Sequence, residues 1–345
     1  MTLKTDFPPI RACLFDMDGL LLNTEDLYTD CINAVLERYN RPRLPWSIKA
    51  KLQGRPGPEA ARLFQDWANL PIDEPEYISQ LSSHQRRLFP LAEPLPGVSR
   101  LLSDLGRTRY FEVKKDEDSR RRVHIALATS SHTTNYKLKT DHLTELFSVF
   151  ESPRKVLGDD PRIAKGRGKP LPDIFLLALR TINESLPEGE PPVKPEECLV
   201  FEDSVPGVEA GRRAGMRVVW VPHDGLLEEY SGREAEVLAG RTGEAGDVDL
   251  HQLGELGDGW ADMLATLENF PYERYGMTIP DPAVEKEECM TERVNGEVIV
   301  ERVNGKANGV NGVNGVNGVN GVNGTANGHI NGNVNGVNGK VNGNA

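Results

Sequence analysis

Two carboxylates spaced by one residue close an apolar run in Cys13-Leu14-Phe15-Asp16-Met17-Asp18-Gly19. At strand periodicity, side chains two apart share a face, so Asp16 and Asp18 project together from the carboxyl end of one strand. Open α/β sheets bind their ligands at that end. Two acids there suit a hard cation such as Mg²⁺, which takes oxygen ligands and keeps waters and substrate phosphate in its shell. They also suit covalent catalysis, in which one carboxylate attacks while the other moves protons. Taken by itself, this segment is more simply read as a strand running into an Asp-rich turn. An EF-hand loop is excluded, because the glycine comes too early.

Three later segments carry matching chemistry. Ala126-Leu127-Ala128-Thr129-Ser130-Ser131 ends a second apolar run in hydroxyls, where Thr129, Ser130 and the following N–H groups at a helix start can cradle phosphate. An ordinary helix N-cap is the plain alternative. Lys169, in Gly168-Lys169-Pro170-Leu171-Pro172-Asp173, offers an ammonium just before a helix, where a lysine is usually a solvated loop charge. Val200-Phe201-Glu202-Asp203 ends a further apolar run in two adjacent acids, costly to bury unless they cap the next helix or bind metal. Each segment has its own plain explanation, but the four at strand ends in this order share none.

The elements needed to position them are legible. From about Gly97 the expected order is helix 97–106, strand Val123–Thr129, helix 134–146, a short strand at Val156-Leu157, helix Pro172–Asn183, strand Cys198–Glu202, helix 207–214 and strand Arg217–Val221. Apolar strands separated by helices imply right-handed βαβ units and a Rossmann-like parallel α/β sheet covered on both faces. Between residues 24 and 93 the apolar spacing is helical, as in Ala61, Phe64 and Trp67, and proline and glycine break it repeatedly. A helical domain, 24–93, is therefore expected inside a core of 1–23 and 94–280. Residues 107–122 form a charge-dense insertion, expected as a solvated loop because acids and bases interleave. The tail 281–345 holds thirteen Asn-Gly pairs and no aromatic residue; it is expected to be disordered, lacking the apolar surface to offset ordering entropy.

Composition narrows the partners. The net charge is −12, from 40 basic and 52 acidic residues, with no basic stripe, so neither nucleic acid nor anionic membrane is an expected partner. The four cysteines show neither a Cys-x-x-Cys pair nor zinc spacing. No apolar leader or 18-residue apolar run occurs, and the expected setting is the reducing cytoplasm. A monomer is expected.

Together the motifs resemble those of the haloacid-dehalogenase-like superfamily, in the form whose helical cap is inserted after the first motif. The resemblance spans residues 10 to about 280. It implies Asp16 as a nucleophile forming an aspartyl-phosphate, and Asp18 as acid and then base. Thr129 and Lys169 would hold the phosphoryl group, with Ser130 beside them. Mg²⁺ would sit on Asp16, the Asp18 carbonyl, Asp203 and, directly or through water, Glu202. Arg55, in Gln53-Gly54-Arg55, matches a cap-loop position that reaches toward substrate. Strings such as Phe15-Asp16-Met17-Asp18-Gly19-Leu20-Leu21-Leu22-Asn23-Thr24-Glu25 resemble the pseudouridine-5′-phosphatase branch, although sugar-phosphate phosphatases share many of them. Asn23 departs from the aspartate usual at the hinge into the cap. The implied activity is hydrolysis of a small sugar or nucleoside monophosphate, pseudouridine 5′-phosphate first. A sugar phosphomutase of the same fold and a non-catalytic regulator are the alternatives.

Overall fold

The first strand, β1 (Ala12–Phe15), is buried along its whole length and lies at the centre of a parallel sheet. It pairs on one side with β2 (His124–Ala128) and on the other with β4 (Cys198–Glu202). β3 (Lys155–Val156), β5 (Arg217–Trp220) and β6 (Ala261–Met263) complete the order β3-β2-β1-β4-β5-β6. The chain reverses its direction of winding between β1 and β4, the switch point at which such sheets open a crevice. The computed structural model describes residues 6–55, 57–111, 122–244, 246 and 253–280, with the pairs 293–294 and 297–298. The expectations for the tail and for most of the charged stretch 107–122 fall outside the described residues.

Strand alternation divides the interior. Ala12, Leu14, Ala126, Val200 and Val218 face a layer that includes helices α8 (Asp173–Glu184) and α9 (Val205–Arg213). Cys13, Phe15, Leu127, Phe201 and Val219 face the other layer, where α5 (Val98–Arg107) contributes Leu101, Leu102 and Leu105. Phe15 and Phe201 stack at 4.5 Å across the β1–β4 pair, locking the two strands whose ends carry acids. α5 runs to Arg107, whose guanidinium is buried against Asp104, and Thr108–Tyr110 continues as a 3₁₀ turn. The start of the expected charged loop is thus helical and anchored. The expected helix 134–146 is two helices, α6 (Thr133–Thr140) and α7 (Thr144–Phe147).

Between Asn23 and Pro94 lie α1 (Thr24–Arg38), α2 (Trp46–Leu52), α3 (Gly57–Ala68) and α4 (Glu74–Leu88), followed by a 3₁₀ turn, Phe89–Leu91. They enclose a core of their own, built from Val35, Leu36, Phe64, Leu70 and Tyr77. Asp73 caps α4 by accepting from the Glu76 N–H at 2.9 Å. The insertion leaves and rejoins the sheet at one point: Asn23 N–H donates to Glu93 O at 3.0 Å, and Glu93 N–H donates to Asn23 Oδ1 at 2.8 Å.

Candidate active site

Asp16 follows β1 directly and Glu202 ends β4, and both continue the parity of the strand face that α8 covers. Lys169, in the loop leading into α8, therefore arrives between them. Its ammonium bonds to Asp16 Oδ1 and lies 2.6 Å from Glu202 Oε1, an ion pair rather than an aligned hydrogen bond. Lys169 and Glu202 side chains are both 0% exposed. Asp203, one residue on, is also buried and joins Asp16 and Glu202 in a group whose oxygens lie within 4.8 Å of one another. Two glycines make room for these acids. A Cβ on Gly19, which holds φ +80°, would overlap the Asp203 carboxylate, and one on Gly207 would overlap that of Glu202.

Three buried acids around one ammonium repel one another. Burial, then Glu202 and Asp18, raise Asp16 to about 7 although Lys169 pulls it down. Burial, with Glu202, Asp16 and Glu25, holds Asp203 well above the carboxylate range. A divalent cation would relieve both, and the all-oxygen donor set is what a hard ion takes. Gln53 Oε1 is also a buried acceptor without a hydrogen bond, so an unsatisfied acceptor is available to a cation or its waters. The residues therefore fit Mg²⁺. The carboxylate of Asp18 is outside this group, consistent with the resemblance, which gives the metal its carbonyl.

Asp18 belongs instead to a second cluster. Its Oδ1 accepts from Lys139 Nζ at 2.5 Å and from Thr24 Oγ1 at 2.6 Å, and its Oδ2 accepts from Ser131 Oγ at 2.6 Å. Burial works to raise its carboxyl, but Lys139, Ser131 and Thr24 together hold it below the ordinary value.

The family model for haloacid dehalogenase-like hydrolases matches residues 10–215. A probable pseudouridine-5′-phosphatase of Saccharomyces cerevisiae is 41% identical over 268 residues, covering 78% of this chain and 98% of the relative. The chain belongs to the haloacid dehalogenase-like hydrolases. Within them it is a phosphoric monoester hydrolase. The mitochondrial (DL)-glycerol-3-phosphatase 1 of Arabidopsis thaliana is 40% identical, over 67% of this chain and 70% of that one. The fold also matches a HAD hydrolase, family IA, variant 3, from Entamoeba histolytica, with a TM-score of 0.53 and 19% identity, covering 77% of this chain and 98% of that chain.

Above the acids of this hydrolase lies a cavity of about 560 Å³. Asp16, Asp18 and Ser131 line it from the sheet, and Tyr28, Phe64 and Tyr77 from the insertion. Ser130 lines it too, and its hydroxyl donates to Gly54 O at 3.2 Å across the boundary between core and insertion. Thr129 is fully buried, its Oγ1 accepting from the Ser131 N–H at 3.1 Å. Arg55 reaches the cavity wall, but its guanidinium is already engaged by Glu59 at 2.7 Å, by Glu244 of the core, and by Lys51 O. Gln53 donates to Asp203, bringing the insertion directly onto the acid group. The hydrolase contains no helix long and apolar enough to cross a membrane among the described residues.

Lys139, Ser131, Thr24 and Gln53 are absent from the sequence-level site. A signal for Lys139 exists, since it stands three residues after Tyr136 of α6 and four before Leu143, beyond the end of α6, both packed against the core. Ser131 and Gln53 are polar residues whose partners, Asp18 and Asp203, lie 113 and 150 residues away, while Thr24, six residues from Asp18, reads simply as the start of a helix.

Proposed function

We propose that this protein is a Mg²⁺-dependent phosphomonoesterase that forms an aspartyl-phosphate on Asp16. The substrate this reading favours is a small sugar or nucleoside monophosphate, pseudouridine 5′-phosphate first. The observation that carries the reading is Lys169 set between Asp16 and Glu202, beside Asp203, with Asp16 and Asp18 lining the cavity next to them. A cavity of about 560 Å³ suits a nucleoside better than a three-carbon alcohol. The 41% identity to the yeast relative supports the same choice.

The chain's own groups divide the reaction in two. Asp16 attacks phosphorus with one carboxylate oxygen, and the bond to the ester oxygen breaks. Asp18, protonated at the start, gives its proton to the departing alkoxide. It rests ionised beside Lys139, and the approach of a phosphoryl dianion raises its affinity for that proton. Water then attacks the aspartyl-phosphate while Asp18 takes a proton from it, releasing phosphate and restoring both acids. Lys169 neutralises the phosphoryl oxygens and the nucleophile. Thr129, whose oxygen accepts from Ser131 N–H, still has its O–H to donate to a phosphoryl oxygen. Mg²⁺, held by Asp16, Asp203 and Glu202, would supply charge neutralisation at the same oxygens. The four helices 24–88 act as the cap that excludes water, and Arg55 fastens it to Glu244.

The test is a panel of pseudouridine 5′-phosphate, other nucleoside and sugar monophosphates and glycerol 3-phosphate, read by phosphate release with Mg²⁺ and with EDTA. Release from pseudouridine 5′-phosphate above all others is expected. Preference for glycerol 3-phosphate would replace the substrate but keep the chemistry. Isomerised β-glucose 1-phosphate without free phosphate would mean a mutase, and no turnover of any ester would overturn the catalytic reading.

A further inference from the structure

Lys139 is a buried cation that the mechanism above leaves without a task. Its side chain is 0% exposed, and its ammonium has three acceptors for three N–H groups: Asp18 Oδ1 at 2.5 Å, Ser131 Oγ at 2.6 Å and Tyr28 OH at 3.2 Å. The Tyr28 and Phe89 rings each stand 5.0 Å from it. These rings meet edge to face at 4.8 Å. Tyr28 belongs to the helix that begins the insertion and Phe89 to the turn that ends it. Lys139 itself belongs to the core helix α6.

A fully buried ammonium is costly, and an apolar residue would fill this part of the α6 stripe without that cost. Its placement makes sense through Asp18. Lys139 and Thr24 hold one carboxylate oxygen and Ser131 holds the other, so the carboxylate plane is fixed at two points. The two aromatic contacts make that fixing depend on both junctions of the insertion being seated.

We infer that Lys139 is the positioning residue for Asp18, aiming its carboxylate at the leaving oxygen when the insertion is seated on the core. The inference rests on the reading of Asp18 as proton donor. It concerns the expulsion of the alcohol and not the binding of the phosphoryl group. A leaving group that departs without a proton therefore has little need of Lys139, whereas an alkoxide needs it fully.

The experiment compares kcat/KM, which reports formation of the phosphoenzyme, for alkyl esters and for p-nitrophenyl phosphate. Pseudouridine 5′-phosphate and glycerol 3-phosphate serve as the alkyl esters, with full-length wild type, K139M and K139R. In K139M the alkyl esters lose about 100-fold or more, the range of general acid catalysis, while p-nitrophenyl phosphate loses less than about fivefold. K139R falls between, because it keeps the charge but moves the donors. Equal losses on both ester classes, no loss, or a gain on the alkyl esters would each overturn the assignment. If K139M shows no cooperative unfolding transition, K139R decides alone by the same asymmetry. A wild type inactive on every ester would instead defeat the phosphatase reading itself, a result distinct from a symmetric loss in the variants.

Discussion

Asp16 is buried among two further acids and a lysine that touches it, so Asp16→Asn removes the nucleophile with almost no change in volume. We expect kcat to fall by about 10³-fold or more, with the unfolding midpoint within a few degrees of wild type in a parallel thermal scan. Retained turnover would mean that another group attacks phosphorus. The residues legible in the sequence share a property with Asp16: an acid ending an apolar strand has no inexpensive explanation, so Asp16, Asp18, Glu202 and Asp203 stand out. Lys139 does not, because a lysine within a helix reads as solvated until the structure shows Tyr28 and Phe89 closing over it. Arg55 is a mixed case: it lines the cavity, and its guanidinium also pairs with Glu59 and Glu244, partners that its sequence position does not reveal.

At the scale of elements, the insertion is held to the core by a few specific contacts. Trp46, at the start of α2, stacks on His223 at 4.6 Å, and a Cβ on Gly225 would overlap its indole. Lys49 lies 4.4 Å from the same ring. Trp46→Ala removes this seat without touching the acids. We expect KM to rise about five- to tenfold, some 1–1.4 kcal/mol, with a smaller change in kcat; steady-state kinetics checks the split. The alternation of strand and helix was legible because β1, β2 and β4 are continuous apolar runs. β6 was not: Ala261-Asp262-Met263 has no such pattern, and it is a strand because Trp260 O and Leu264 N pair with β5. The break after Thr140 was equally hidden, since Leu143 and Phe147 continue the apolar spacing of α6.

Across the whole molecule, the two ends of the sheet respond to pH in opposite senses. At the amino ends of the strands, His124 donates from Nε2 to Glu190 at 2.7 Å, while Arg154 faces its Nδ1 at 3.3 Å. Burial and Arg154 lower His124 below 6.5 against the pull of Glu190. Burial works to raise Glu190, yet His124 and Arg11 bring it below 4.5. The unfolded chain therefore takes up protons first, and stability at this end falls as pH drops below 6.5. At the carboxyl ends the sign reverses for the raised acids Asp16 and Asp203, while Asp18, held low beside Lys139, keeps the first sign. With Asp16 raised from 3.8 to about 7, the folded state keeps a proton that the unfolded chain has lost, so stability falls as pH rises through that window. Mg²⁺ on the acids removes the second slope but not the first. The gain in thermal midpoint on replacing EDTA with Mg²⁺ is therefore expected to grow between about pH 5 and about pH 7.5. Calorimetry across that range checks it, and a gain independent of pH would show that charge relief is not what the cation supplies.

The paired hydrogen bonds between Asn23 and Glu93 have an evolutionary corollary. Both junctions of α1–α4 meet at one spot, and these helices carry apolar contacts of their own, so lengthening, shortening or exchanging them leaves the strand pairings of the sheet unchanged. Such a cassette lets the cavity wall drift while β1, β4 and their acids stay in place, provided that Thr24 and Tyr28 keep their contacts with Asp18 and Lys139. Here the side-chain amide of Asn23 supplies the staple at that spot, accepting from the backbone of Glu93.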